Sequence, residues 1–261
     1  TEPNLQNIPV KTDFGRQIRK AFVPEEGSYT LVGADYSQIE LRVLAHMSQD
    51  SALIEAFNEG ADIHSSTASK VFGIPAGEIT LQQRSSAKAI NFGVIYGMSG
   101  FGLSEELHIS RKEAEDYIHA YFAKHSKVKE YMDEQIKICK ETGFATTMMG
   151  RKRAIHEINA SSYMVRQLGE RLAMNTPIQG SAADIIKIAM IEIANELKLN
   201  SWHSKMILQV HDELIFNVIS KEQKELIYLI KDKMEHALPL AVPLTVDIKA
   251  GKNWYDMEKV R

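Results

Sequence analysis

The sequence is poor in cysteine. Among its 261 residues only Cys139 is a cysteine, which excludes an internal disulfide and any zinc site built from several cysteines. A single thiol fits a reducing compartment, so we expect a cytoplasmic protein. Cys139 itself is expected to pack in a core rather than to react.

Long hydrophobic runs are missing as well. No apolar stretch approaches the roughly 20 residues that a helix needs to cross a bilayer, and no signal peptide opens the chain. We therefore expect no membrane partner. The first ten residues, TEPNLQNIPV, lack an initiator methionine and have the composition of a loop, so we expect a fragment of a longer protein. No internal repeat is present, and a monomer is expected.

The sequence also lacks a strong excess of positive or negative charge. The net charge is −3, with 25% charged and 44% hydrophobic residues, which is ordinary for a globular chain of one large or two small domains. Any binding to nucleic acid must therefore depend on local basic clusters. One such cluster lies near the start, at Lys11, Arg16, Arg19 and Lys20. It is either a solvated face or a set of phosphate contacts.

Residues 29–42, YTLVGADYSQIELR, predict a strand followed by a helix. The strand consists of β-forming residues and ends in two small residues, Gly33 and Ala34, which allow another group to approach the backbone closely. Asp35 follows, at the mouth of the strand. It either caps the following helix or contributes a carboxylate to a metal site on a rigid scaffold.

Periodicity and capping residues predict the other elements. Thr80 and Gln83 form a capping box, as do Ser110 and Glu113, and Gly143 is a typical helix-terminating residue. The predicted helices are 62–72, 80–96, 110–125, 126–142, 161–175, 179–199 and 221–237, with hairpins at 144–155 and 205–218 and a strand at 243–251. Pro177 is expected to interrupt the helical segment around it.

The first chemical constellation is a pair of carboxylates. Asp212 lies at the predicted tip of the second hairpin and is followed by Glu213, while Asp35 closes an earlier strand. If both strand ends meet in one antiparallel sheet, two carboxylates converge, and they repel unless a cation lies between them. Oxygen ligands select Mg²⁺ or Mn²⁺, and two such ions suit phosphoryl transfer. The alternative for Asp212 is ordinary turn chemistry.

The second constellation is a helical stripe of two cations and two aromatic rings. Arg84, Lys88, Phe92 and Tyr96 recur every four residues, so they share one broad face of the helix. A polyphosphate fits the two cations, and a sugar or base fits the two rings. His64 either adds a phosphate donor or is structural.

The third constellation is polar. Arg171, Asn175 and Gln179 are again four residues apart. They either form a satisfied polar helix face or contact the minor-groove acceptors that every base pair presents.

Three segments together resemble a known family. DYSQIELR, RSSAKAINFGVIYG and QVHDEL, in that order, resemble motifs A, B and C of the A-family DNA polymerases, most nearly of the bacterial DNA polymerase I type. NLQNIPV and NTPIQGSAADIIK are similar to further segments of that family. The resemblance implies an α+β fold: a polymerase palm with an antiparallel β-sheet backed by helices, and an inserted, mostly helical fingers subdomain. The palm would comprise residues 1–50 and 166–261, and the fingers residues 51–165.

The resemblance also implies roles for individual residues. The catalytic residues would be Asp35, Asp212, Glu213 and Lys88. The ligands of two Mg²⁺ ions, or of two Mn²⁺ ions, would be Asp35, Asp212 and the Tyr36 carbonyl. The residues of the deoxynucleoside triphosphate (dNTP) site would be His64, Arg84, Lys88, Phe92, Tyr96, Gln38 and Glu40. Glu40 would be the gate that excludes a 2′-hydroxyl. The residues that contact primer-template DNA would be Arg171, Asn175, Gln179, His211, Lys11 and Asn7.

The implied activity is template-directed DNA synthesis in replication and repair. A primer 3′-hydroxyl would attack the α-phosphate of a dNTP, and closure of the motif B helix would select the correct nucleotide. Nothing in the chain matches the thumb or exonuclease domains of the family, so we expect weak primer-template binding. Two alternatives remain open: a single-subunit RNA polymerase, and a catalytically silent nucleotide- or DNA-binding scaffold.

Overall fold

The computed structural model describes residues 7–8 and 12–260. The chain divides into two compact units. The sheet unit comprises the described residues of Thr1–Ile39, Ala183–Pro239 and Leu244–Arg261. The helical unit comprises Glu40–Ala182 and Leu240–Pro243.

The elements follow the chain in this order. The α-helices are α1 Asp13–Gln17, α2 Ile39–Ser48, α3 Ser51–Asn58, α4 Ile63–Phe72, α5 Leu81–Ile95, α6 Gly100–Leu107, α7 Arg111–Lys124, α8 Ser126–Thr142, α9 Tyr163–Leu199 and α10 Gln223–Glu235. The strands are β1 Tyr29–Tyr36, β2 Phe144–Thr146, β3 Lys152–Ala154, β4 Lys205–Val210, β5 Glu213–Ile219, β6 Val246–Gly251 and β7 Met257–Lys259. None of the described helices is both long and apolar enough to cross a bilayer.

The sheet unit is built on a five-stranded antiparallel sheet in the order β4-β5-β1-β6-β7. β1 is the central strand and is buried on both faces, with Leu31, Val32 and Ala34 almost inaccessible to solvent. This explains why β1 reads as a continuous apolar run rather than an alternating one. The predicted α+β fold with an antiparallel sheet is confirmed.

One helix covers one face of this sheet. α10 places Leu226, Ile230 and Met234 on a single buried stripe, and it packs against β1, β5 and β6. The residues of β1 alternate between faces, so Asp35 lies on the opposite face from the Tyr36 ring. The Tyr36 hydroxyl donates to the backbone oxygen of Met234 in α10 (2.7 Å).

The helical unit confirms most of the predicted helix ends. Thr80 and Gln83 form the full capping box at the start of α5, and the Ser110 side chain accepts from the backbone nitrogen of Glu113. Gly143 ends α8 in the left-handed conformation, with φ of 78°. The first predicted hairpin is present as β2 and β3.

The prediction that Pro177 interrupts the helix is wrong. α9 runs without a break from Tyr163 to Leu199. A proline inside a helix costs about 3 kcal/mol, but Ile178 and Ile185 are fully buried on the same helix, and burial of each such side chain stabilises by about 1.5–3 kcal/mol. Burial therefore outweighs the proline. The elements α1, α3, α6 and β7 were not predicted.

Candidate functional site

The carboxylates of the sheet unit converge as the sequence predicts. β1 and β5 are antiparallel neighbours, and their register places Asp35 directly opposite Glu213. β4 and β5 are joined through His211 and Asp212, since Val210 pairs with Glu213. The backbone nitrogen of Tyr36 donates to the backbone oxygen of Asp212 (3.2 Å), so the hairpin tip lies beside the end of β1.

The electrostatics of this cluster are those of crowded like charges. Partial burial, and then repulsion by Asp212 and Glu213, raise the pKa of Asp35 to about 7, against the opposing effect of Lys249. Burial also raises the pKa of the Asp212 carboxyl and the pKa of the Glu213 carboxyl. Because the pKa of each of these carboxyls is raised, a bound cation would stabilise their ionised forms.

Glu213 is held to one side of the cluster. Its Oε2 accepts a hydrogen bond from Nε1 of Trp254 (3.3 Å). A Cβ added at Gly33 would lie only 2.9 Å from Oε1 of Glu213. The small residue noted in the strand therefore makes room for this carboxylate, as close backbone approach requires. Neither Trp254 nor this contact was predicted, because both depend on tertiary packing.

The donor set fits a hard divalent cation. Asp35 and Asp212 supply carboxylate oxygens, which Mg²⁺ and Mn²⁺ prefer. Within residues 7–8 and 12–260 no group of three or more His, Cys, Asp or Glu side chains is arranged to hold a metal by itself.

Sequence reasoning missed an acidic residue of the same row. Asp247 on β6 pairs with Asp35 from the side opposite to Glu213, and its charge also raises the pKa of Asp35. Lys259 on β7 donates to Asp247. The alternating segment VDIKAG was recognised as a strand, but its partner strand could not be read from it.

Two further predicted residues adopt unusual backbone conformations. Gln38 lies between β1 and α2 with φ of 56°, and His211 lies in the hairpin turn with φ of 53°. Left-handed conformations are uncommon for residues other than glycine and frequent at functional turns. Asn7 is exposed. Lys11 lies outside the described residues.

The stripe on α5 forms in the helical unit as predicted. The helix buries Ala87, Ile90, Asn91, Val94 and Ile95 on one face. On another face Lys88 is exposed, and the rings of Phe92 and Tyr96 stack with centroids 6.3 Å apart and planes 20° apart. A cavity of about 370 Å³ opens beside it, lined by Ser85, Lys88, Ala89, Phe92, Gly93, Tyr96, Met98, Glu106 and Leu107.

Asp62 connects the two helices that carry the predicted phosphate contacts. Its Oδ1 caps α4 by accepting from the backbone nitrogens of His64 (3.0 Å) and Ser65 (3.1 Å). Its Oδ2 accepts from Nε of Arg84 on α5 (2.7 Å). Burial alone would raise the pKa of Asp62, but these bonds and the Arg84 charge hold it below its usual value. Arg84 is thus oriented through Nε, and its terminal nitrogens remain suited to a phosphate.

The polar stripe on α9 is partly committed to the protein. Arg171 and Gln179 are exposed. Asn175, with its amide nitrogen oriented as a donor, bonds the backbone oxygens of Arg171 (3.3 Å) and Ile95 at the end of α5. The turn after α5 fits closely against α9, since a Cβ at Gly97 would lie 2.6 Å from Cε of Met174. In this conformation Asn175 joins two helices rather than presenting a free donor.

Comparisons with known proteins agree with these features. The family model for DNA polymerase family A matches residues 1–256. DNA polymerase I of Caldicellulosiruptor bescii is 52% identical over 256 residues, which are 98% of this chain and 30% of the relative. DNA polymerase I of Bacillus subtilis (strain 168) is 51% identical over 98% of this chain and 29% of the relative. The chain therefore spans about three-tenths of these relatives.

A solved structure is also similar. The POL domain of Pol1 from M. smegmatis, in complex with DNA primer-template and dNTP, matches with a TM-score of 0.94 and 47% identity. The match covers 98% of this chain and 45% of that chain.

Proposed function

Because the chain belongs to DNA polymerase family A, we propose that it carries out template-directed DNA synthesis, transferring a nucleotide from a dNTP to a primer 3′-hydroxyl in replication and repair. The observation that carries this proposal is the register that sets Asp35 beside Asp212 and Glu213. We propose that residues 1–50 and 166–261, which contain the whole sheet unit, form the palm, and that residues 51–165 of the helical unit form the fingers. The boundaries at residues 50 and 165 stay predictions, as does a cytoplasmic location.

Asp35, Asp212 and the Tyr36 carbonyl would hold two Mg²⁺ or Mn²⁺ ions. When bound, the ions would activate the primer hydroxyl and stabilise the leaving pyrophosphate. Glu213, whose carboxylate accepts a hydrogen bond from Trp254, adds negative charge beside these ligands. The crowding that raises the pKa of Asp35 supports a cation at this position.

The helical unit would bind the nucleotide. Arg84, Lys88 and His64 bind the triphosphate, and Lys88 also neutralises the charge that develops on the leaving group. Phe92 packs against the sugar, and Glu40, with Gln38 before it in the chain, excludes a 2′-hydroxyl. The Tyr96 ring belongs to the same nucleotide site. Primer-template DNA would be bound by Arg171, Gln179, His211, Lys11 and Asn7, and by Asn175 after its amide leaves the backbone oxygens that it bonds here.

Single-nucleotide primer extension tests this function. The chain is mixed with excess primer-template, one complementary dNTP and Mg²⁺, because weak DNA binding is expected. We expect incorporation that Asp212→Ala abolishes and that Asp232→Ala, on the exposed side of α10, preserves. Preference for dNTP over ribonucleotides excludes an RNA polymerase. Binding of DNA and dNTP with no incorporation at any enzyme concentration would instead indicate a silent scaffold.

A further inference from the structure

A buried chain of hydrogen bonds lies behind His64. The Thr67 hydroxyl donates to Oδ1 of Asn91 (3.1 Å), and Nδ2 of Asn91 lies 3.1 Å from Nδ1 of His64. Asn91 is completely buried, and Thr67 and His64 are nearly so. An amide in such a place is costly unless both its oxygen and its nitrogen are bonded. On the buried face of α5, Asn91 therefore needs both of its partners, Thr67 and His64.

This chain decides which imidazole nitrogen carries the proton. With the Asn91 amide oriented so that Nδ2 faces His64 (3.1 Å), this nitrogen donates and Nδ1 of His64 accepts, which leaves Nδ1 unprotonated. A neutral imidazole in this arrangement carries its hydrogen on Nε2. In the same orientation Oδ1 of Asn91 accepts from the Thr67 hydroxyl, so both ends of the amide are bonded.

The surroundings also favour the neutral ring. Burial, followed by the charges of Arg84 and Lys88, lowers the pKa of His64, and Asp62 opposes them only in part. The Phe92 ring lies against the imidazole, with centroids 6.0 Å apart. These surroundings favour the uncharged form of His64, and the bond from Asn91 favours a hydrogen on Nε2.

We propose that Asn91 is a positioning residue that holds His64 in the Nε2–H form, so that this neutral imidazole donates to a phosphate oxygen of the nucleotide. The inference rests on the proposed function for its ligand, but the tautomer itself does not. A neutral donor contributes a directed hydrogen bond without a third positive charge beside Arg84 and Lys88. Its contribution also stays constant as the pH changes above the pKa of the ring.

Nitrogen NMR of histidine-labelled protein tests the tautomer directly. The His64 signals are assigned by their loss in His64→Gln. We expect an unprotonated Nδ1 and a protonated Nε2 at pH 7, and a shift of the Nε2 signal when inorganic tripolyphosphate is added. A protonated Nδ1 in the unsubstituted protein, or an Nε2 signal unmoved by tripolyphosphate, would overturn the proposal.

Asn91→Asp reverses the hydrogen-bond direction with almost no change in shape. The new carboxylate accepts, so Nδ1 becomes protonated, and the ring keeps its Nε2 hydrogen only while it is cationic. The KM for dNTP should then rise about fivefold to tenfold as the pH increases through the raised pKa of the ring. The unsubstituted protein should show no such rise, and kcat should change less than KM.

Two further variants separate this effect from a loss of folding. Asn91→Leu removes the bond and should raise KM without the added pH dependence. In a His64→Gln background, Asn91→Asp should have no pH-dependent effect, because the glutamine amide donates at every pH. An Asn91→Asp protein that incorporates dNTP with an unchanged KM across the pH range refutes the role of Asn91 and leaves the polymerase function standing.

Discussion

The Tyr96 hydroxyl donates a hydrogen bond of 2.9 Å to a carboxylate oxygen of Glu40. Tyr96 caps the C-terminal end of α5, and Glu40 lies in the first turn of α2. The Tyr96 ring stacks at the same time on Phe92. The proposed gate against ribonucleotides is thus tied to the aromatic end of the proposed nucleotide-binding stripe.

Loss of this hydroxyl should weaken sugar discrimination. Tyr96→Phe keeps the stacked ring but removes the hydroxyl that donates to the Glu40 carboxylate, so the ratio of dNTP to ribonucleotide incorporation should fall about fivefold, the equivalent of one lost hydrogen bond. Melting temperature should hardly change, because an exposed pair contributes little stability. Tyr117→Phe is the matched control, since Tyr117 makes the same bond to Glu113 on α7. Equal discrimination in both variants would contradict this link.

Removing the Asp35 charge should stabilise the metal-free protein. Asp212, Glu213 and Asp247 all disfavour an ionised Asp35, so Asp35→Asn should melt a few degrees higher than the unsubstituted protein in EDTA at pH 8. Mg²⁺ should raise the melting temperature of the unsubstituted protein more than that of the variant. Nucleotide incorporation should be lost.

Asp247→Asn is the control for that experiment. It occupies the paired position on β6 but gives up an ion pair with Lys259, so it should bring no gain in stability. A metal-free Asp35→Asn protein no more stable than Asp247→Asn would argue against charge crowding at Asp35.

The elements that position the site could be read from local pattern. The apolar run before Asp35, the hairpin around His211 and the four-residue spacing on α5 each depend on neighbouring residues, and each is present in the structure. The convergence of Asp35 and Asp212 followed only if the two strands were antiparallel neighbours, and the register confirms that condition.

The supporting residues could not be predicted because their partners are distant in sequence. Trp254 contacts Glu213 across 41 positions, and Asn91 contacts His64 across 27. Asp62 begins the predicted helix 62–72 and caps α4, but its second oxygen binds Arg84. Pro177 was misjudged for the same reason, since local propensity omits the burial that keeps α9 continuous.

A glycine on α9 should resist substitution. A Cβ at Gly169 would lie 2.6 Å from the backbone carbon of Glu157 and the backbone nitrogen of Ile158. Alanine normally favours a helix over glycine by about 1 kcal/mol, but here we expect Gly169→Ala to destabilise by about 1–3 kcal/mol because backbone must move. Urea unfolding measures it.

Gly77→Ala provides the comparison. Nothing lies within 4 Å of a Cβ placed at Gly77, so its effect should stay within about 0.5 kcal/mol. If the two alanine variants were equally stable, the close packing at Gly169 would be refuted.

Glu222 should make the stability of the sheet unit depend on acid pH. Burial alone would raise its pKa, but its carboxylate accepts from the Ser204 hydroxyl (2.7 Å) and from the backbone nitrogens of Ser204 and His203, and the pKa is lowered to about 2. A pKa lower in the folded than in the unfolded state stabilises above the unfolded value of 4.5 and loses this effect as the pH falls toward 2. Glu222→Gln should therefore lower the free energy of unfolding by about 2 kcal/mol at pH 7 and leave it unchanged near pH 2.

Denaturant titrations at several pH values measure this difference in stability, and Glu225→Gln, at an exposed position of α10, should show none. If the difference in unfolding free energy between Glu222→Gln and the unsubstituted protein were the same at every pH in that range, the ionisation of Glu222 would not contribute to stability.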